Sequence, residues 1–101
     1  MEARHWHSRD LRKGRHSEPG QVYLVTMATN HRKPIFRHMW QARCAVCCLH
    51  DSDVARQTYT MAYVVMPDHV HWLFQLTENG QLSKAVRLYK AKVSYGLQQR
   101  I

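Results

Sequence analysis

At 101 residues the chain fits a single domain with a thin core. Hydrophobic residues make up 45% of it, three of them tryptophan, which excludes a disordered polymer and predicts a globular unit. A formal net charge of +8 points to an acidic partner, nucleic acid being the commonest, and no apolar run approaches the roughly 18 residues of a spanning helix.

Residues 1 to 20 form a basic, histidine-rich arm carrying Arg4, Arg9, Arg12, Lys13 and Arg15, and they end in the turn-forming Ser17-Glu18-Pro19-Gly20. No apolar stretch of a signal peptide occurs in Met1-Glu2-Ala3-Arg4-His5-Trp6-His7, so a cytoplasmic protein is expected. The domain proper is expected over residues 21–101. Val22, Tyr23, Leu24, Val25, Thr26 and Met27 read as a buried strand, broken by Asn30 to Pro34. From His38 to about Asp51 the apolar and thiol residues run on without Gly or Pro, which predicts a helix. Tyr59–Met66 and His69–Leu76 are strand-like runs separated by Pro67-Asp68, the pattern of a tight antiparallel hairpin. Asn79-Gly80 ends the second strand. Leu82, Ala85, Val86, Tyr89, Val93 and Leu97 then recur at helical spacing up to about Gln99, with Lys84, Arg87 and Lys90 assigned to a basic outer side.

The order strand, helix, strand, strand, helix predicts an α+β, ferredoxin-like (split βαβ) sandwich, an antiparallel sheet with two helices on one face. A final strand and a further helix would complete such a unit. Ile101 precedes both, so the expectation is either a sheet of three strands or a truncated gene or fragment.

The chemistry concentrates in Met66-Pro67-Asp68-His69-Val70-His71. Side chains at i and i+2 share one face of a strand, so His69 and His71 point the same way, together with Leu73 and Gln75. Val70, Trp72, Phe74 and Leu76 form the opposite, wholly apolar set, suited to packing under the helices. The histidines are thereby expected on the uncovered side of a one-sided sheet. Two neutral imidazoles there can bind one divalent ion, which would polarise a phosphodiester oxygen. A tyrosine hydroxyl would suit a reaction that conserves bond energy for rejoining, because a phosphotyrosine can be attacked by a later DNA hydroxyl. A bare His-x-His is more often a pair of ordinary surface histidines. The turn, the apolar opposite face and the basic charge weigh toward a site.

Tyr63-Val64-Val65-Met66-Pro67-Asp68-His69-Val70-His71-Trp72-Leu73-Phe74 resembles the HUH segment of the REP-associated tyrosine transposases, which are single-tyrosine HUH transposases. Arg12-Lys13-Gly14-Arg15, Tyr23-Leu24-Val25-Thr26 and Arg32-Lys33-Pro34-Ile35-Phe36 resemble the amino-terminal part of the same family, and Leu82 to Gln99 its first helix after the hairpin. The resemblance implies an enzyme that cuts and rejoins hairpin-forming single-stranded DNA with Mg²⁺ or Mn²⁺, through a 5′-phosphotyrosine link. His69 and His71 would be its metal ligands. The family's nucleophile lies in a Tyr-Ile-x-x-Asn-Pro-like segment on a later helix, and nothing here matches that segment; its tyrosine is expected beyond Ile101. Within the chain Tyr89 falls on the apolar helical stripe and is assigned to the core, while Tyr95 lies off it and is the substitute catalytic candidate. Tyr23, Tyr59 and Tyr63 are read as packing or stacking residues.

Contacts to DNA are expected from Arg12, Lys13, Arg15, Arg32, Lys33, Lys84, Arg87 and Lys90, with salt-sensitive affinity. Cys44-x-x-Cys47-Cys48 with His50 has zinc-ligand types but lacks a second spaced pair, and three reduced core-facing thiols are the plainer expectation. The alternative to an enzyme is a non-catalytic module that holds single-stranded nucleic acid on an open, RRM-like sheet. A monomer or homodimer with no membrane association is expected on either reading.

Overall fold

The computed structural model describes residues 18–99. Its elements in chain order are strand β1 (Val22–Ala28), two short 3₁₀ turns (Asn30–Arg32 and Ile35–Arg37), helix α1 (Met39–Val54), strands β2 (Thr58–Met66) and β3 (His69–Leu76), and helix α2 (Leu82–Gln99). The sheet order is β1-β3-β2, with β3 antiparallel to both neighbours. Two parallel outer strands thus flank an antiparallel central one, and α1 makes the crossover between them, which is the split βαβ arrangement. The α+β architecture read from the sequence is present among the described residues.

Alternation along β3 sets the layers. Val70, Trp72, Phe74 and Leu76 are almost fully buried against α1 and α2, and they share one core with Met27, Phe36, Leu49, Val86, Tyr89, Val93 and Leu97. Trp72 lies at its centre, its ring centroid 4.2 Å from that of Phe74 and 5.1 Å from that of Tyr89. The indole Nε1–H donates to Thr60 Oγ1 at 3.0 Å, so the ring's single polar atom is satisfied. Tyr89 donates its hydroxyl to the Ala45 carbonyl at 2.9 Å and ties the helices together, in the core position its spacing predicts.

Two local expectations are corrected, for β1 and for Lys90, and β2 carries an irregularity on which the sequence is silent. β1 is not buried on both sides, because no layer covers the second face of the sheet among the described residues; Val22, Leu24 and Thr26 are exposed there while Met27 is buried. In β2 the pairing shifts between Thr60 and Ala62, a β-bulge that inserts Met61. Thr60 and Tyr63 therefore both pair with residues of the core face, and Val64 and Met66 come to stand beside His71 and His69. Lys90 does not belong to the basic outer side of α2: it is 3% exposed, one helical turn after buried Val86 and next to buried Tyr89.

The loop after β3 needs its glycine for space. A methyl group on Gly80 would collide with the Gln57 carbonyl oxygen and press on Leu76 Cδ1 and Thr77 Oγ1, each 3.0 Å away. Because the first of these is backbone, Gly80→Ala is expected to cost about 1–3 kcal/mol, the usual penalty for overpacking. A urea-denaturation midpoint equal to wild type would contradict that.

Candidate metal centre and nucleic-acid interface

His69 and His71 stand on the open face of β3, as the strand alternation predicts. Their rings meet edge to face, with centroids 4.7 Å apart and planes at 88°. On this face they are flanked by Ala28 and Thr26 of β1 and by Met66 and Val64 of β2.

Each ring has its Nδ1 engaged. His69 Nδ1 lies 2.7 Å from Asp68 Oδ1, and since an ionised carboxylate only accepts, the imidazole is the donor. His71 Nδ1 lies 3.1 Å from Thr26 Oγ1, the residue directly across the strand pair. With Nδ1 of His69 protonated, its Nε2 keeps the lone pair through which imidazole binds a metal, and His71 has the same form when its Nδ1 donates to the Thr26 hydroxyl, a group able to donate or accept.

Asp68 is itself fixed from two sides. It is the second residue of the two-residue turn between β2 and β3, and neither Pro67 nor Asp68 has positive φ, so Pro67 occupies a conformation its ring favours. The turn carbonyls are capped by the segment after β1: Thr29 N–H donates to Asp68 O at 2.9 Å and Phe36 N–H donates to Pro67 O at 2.9 Å. From that segment Arg32 Nε reaches Asp68 Oδ2 at 2.8 Å. Arg32, first, and then His69 hold the Asp68 carboxyl below its ordinary 3.8 by hydrogen bonding.

His31 and Arg32 adopt left-handed backbone with φ of 56° and 54°. Such residues cost on the order of 1 kcal/mol or more when they are not glycine, and they persist where surroundings over-determine them. Here Arg32 N–H donates to Thr29 O at 3.0 Å and Thr29 Oγ1 to Lys33 O at 2.7 Å, which locks the turn that aims Arg32 at Asp68.

The donor set fits a divalent ion. Two imidazoles with outer partners are a common half-site for a divalent ion. No group of three or more His, Cys, Asp or Glu side chains able to hold an ion occurs among the described residues, so the pair would need further ligands from water, a phosphate oxygen or elsewhere.

The family model described as "Transposase IS200 like" matches residues 19–101. The chain belongs to the IS200-like transposase family. Among solved structures it is similar to a REP-associated tyrosine transposase bound to a REP hairpin, with a TM-score of 0.66 and 19% sequence identity, over 84% of this chain and 51% of that one. At that identity the likeness is one of fold, and the chain spans about half the length of that protein. No curated protein matches.

In this IS200-like transposase chain the sequence-selected residues separate into groups. Arg32 is joined to the histidine site, its side chain still 62% exposed, and Lys33 is exposed beside it. Lys84 and Arg87 are exposed on α2, and Lys90 is buried there; this helix lies across the sheet from the histidines. Tyr95 is on α2 as well, exposed by 56%, in the layer opposite the histidine face, so the structure does not bring it to the histidine pair. Tyr59 shares the histidine face but pairs with Gln75, four residues along β3 from His71, or about 13 Å at strand rise. Arg12, Lys13 and Arg15 lie outside the described residues. Asp68 and Thr26 were missed; the acidic residue directly before His69 was the available signal for the first, whereas the second depends on a pairing 45 residues apart.

The three cysteines differ in burial. Cys48 is buried, Cys44 half-buried and Cys47 exposed, which also corrects the expectation that all three face the core. Burial, then the neighbouring Cys44, pushes the Cys48 thiol up to about 12 from an ordinary 9.0. Above pH 9 the unfolded chain would release this proton while the folded one keeps it, so stability is expected to fall as pH rises toward 12 and to be unaffected by this group below 9. Urea midpoints between pH 8 and pH 11 should fall less steeply in Cys48→Ala than in wild type; identical slopes would refute the assignment.

Proposed function

We propose that this chain is the metal- and DNA-holding part of a single-strand DNA transposase of the HUH type, cleaving and rejoining DNA with a divalent ion, Mg²⁺ or Mn²⁺, and a tyrosine nucleophile. The observation that carries the reading is the His69–His71 pair on the uncovered face of the central strand, each Nδ1 engaged by an oxygen. When bound, the ion would polarise the scissile phosphate and stabilise charge developing on its oxygens. Arg32 and Lys33 would bring positive charge to the phosphates beside it, and the arm residues Arg12, Lys13 and Arg15 would extend that contact, in keeping with a basic arm over residues 1–20 and a domain over 21–101.

The reaction joins a tyrosine oxygen to phosphorus as the bond from phosphorus to the 3′ oxygen breaks, releasing a DNA 3′ hydroxyl; rejoining reverses the exchange with another 3′ hydroxyl. None of the tyrosines among the described residues reaches the histidine pair, so the nucleophile in this reading comes from outside them rather than from Tyr95. The partner is single-stranded or hairpin DNA; the similar solved transposase is bound to a hairpin, which supports that choice. No described helix is long and apolar enough to cross a membrane. A cytoplasmic monomer or homodimer is the accompanying proposal.

The non-catalytic, RRM-like alternative is less well supported. RRM sheets stack bases on aromatics of their central strands, whereas the open face of β3 carries His69, His71, Leu73 and Gln75.

The test is to incubate the chain with hairpin-tipped single-stranded DNA and Mn²⁺. Binding should favour the hairpin over an unstructured strand and weaken steeply with salt, and no covalent adduct should form on Tyr95. Equal affinity for both DNAs would overturn the hairpin assignment, and a phosphotyrosine adduct mapped to Tyr95 would overturn the placement of the nucleophile.

A further inference from the structure

The same site contains a set of contacts whose role lies beyond binding the ion. His69 and His71 are not simply exposed on a strand. One ring is held by a carboxylate that precedes it in the hairpin turn, the other by a hydroxyl from the adjacent strand. The carboxylate is held in turn by Arg32, whose own backbone is kept in the left-handed region by Thr29 and its neighbours.

We propose that Asp68 and Thr26 are positioning residues for the His69–His71 centre, each accepting a hydrogen bond from one imidazole Nδ1 and so leaving Nε2 of both rings as the ligand atom, with Arg32 steadying Asp68. The inference rests on the metal-site reading above. Its physical basis is that a free imidazole in water exchanges its proton between two nitrogens and turns about χ2, and both freedoms reduce the time a ligand atom spends ready to bind. A fixed acceptor at Nδ1 removes both. Asp68 suits the task because its own backbone is anchored: Thr29 holds its carbonyl, and the two-residue turn leaves it little conformational freedom. Thr26 suits it because β-branching restricts χ1 and the strand register sets it opposite His71. Arg32 engages only one carboxylate oxygen, Oδ2, and leaves Oδ1 to His69, so the two contacts do not compete.

A structural role in the turn would predict lost stability on removing these side chains; a positioning role predicts a change in the imidazoles themselves. The experiment is nitrogen-15 NMR of the histidine rings, paired with Mn²⁺ titration followed by EPR of the free ion. In the wild-type chain both histidines should show protonated Nδ1 and bare Nε2. Asp68→Ala should shift His69 toward a mixture of tautomers and weaken Mn²⁺ binding about 10–100-fold, the range typical of outer-partner loss. Asp68→Asn, whose amide oxygen can still accept, should restore much of both. Thr26→Val keeps shape and strand preference, so it serves as the variant least disturbing to the fold; it should do to His71 what Asp68→Ala does to His69, and Thr26→Ser should reverse it. Unchanged tautomers and Mn²⁺ affinity in Asp68→Ala and Thr26→Val would overturn the positioning role. If His69→Ala/His71→Ala abolishes binding in the same titration, only the positioning inference has failed; if it does not, the metal-site reading has failed with it.

Discussion

Trp72→Ala is expected to leave the chain only marginally stable at 25 °C. Trp72 is fully buried and stacked between Phe74 and Tyr89, on the strand that pairs with both others. Truncating a buried tryptophan to alanine costs about 3–5 kcal/mol, as lost burial and an unfilled cavity add together. Against a whole-domain stability of roughly 5–15 kcal/mol, and nearer the lower end for a small core, that loss removes most of the margin. The effect would extend to the histidine pair, because Trp72 directly follows His71 and its indole Nε1 is bonded to Thr60 beside the bulge. Trp72→Phe should be milder, at about 1–2 kcal/mol, for the smaller ring and the lost donor. Circular dichroism during urea titration reads both; an alanine variant with a wild-type midpoint would show that the core does not depend on this residue.

His69→Ala/His71→Ala is expected to abolish Mn²⁺ binding while leaving the fold intact. Both side chains lie on the open face and are only partly buried, outside the core packed under the helices, so their removal leaves that core intact. Single replacements should each weaken the ion by more than the about 10–100-fold expected for an outer partner, because a direct ligand is lost. Binding to hairpin DNA in the absence of metal should persist with its salt dependence, since Arg32 and Lys33 remain. Calorimetric titration with Mn²⁺ decides the matter, and an unchanged dissociation constant in the double variant would remove these histidines from the metal site.

Much of the arrangement was legible because it depends on local periodicity. The apolar set Val70, Trp72, Phe74 and Leu76 alternates with His69 and His71, and period two alone assigns the two sets to opposite faces. Pro67-Asp68 between two strand-like runs gives the hairpin, and the spacing from Leu82 to Leu97 gives α2, including the core position of Tyr89. With the element order these suffice for the split βαβ arrangement. They also fix which strand carries the candidate ligands.

What only the tertiary structure decided depends on residues far apart in the chain. β1 reads as buried because β-branched and large apolar residues dominate it, and only the absence of a second covering layer among the described residues leaves Val22 and Leu24 exposed. The bulge at Met61 carries no composition signal; it exists because the pairing of β2 with β3 slips by one residue, and that slip places Val64 and Met66 against the histidines. Lys90 lies four residues after Val86 and three before Val93, so helical spacing puts it on the apolar stripe apart from Lys84 and Arg87; its charge, not its position, assigned it to the outer side. The contacts that turn the histidines from a motif into a centre are of the same kind. Thr26 meets His71 only through strand register, and Arg32 meets Asp68 only because two residues accept a left-handed backbone. Sequence determined which side chains share the face of β3, because that follows from covalent geometry; tertiary structure decided which atoms hold them there, because hydrogen bonds across the sheet depend on register and on turns that no local pattern encodes.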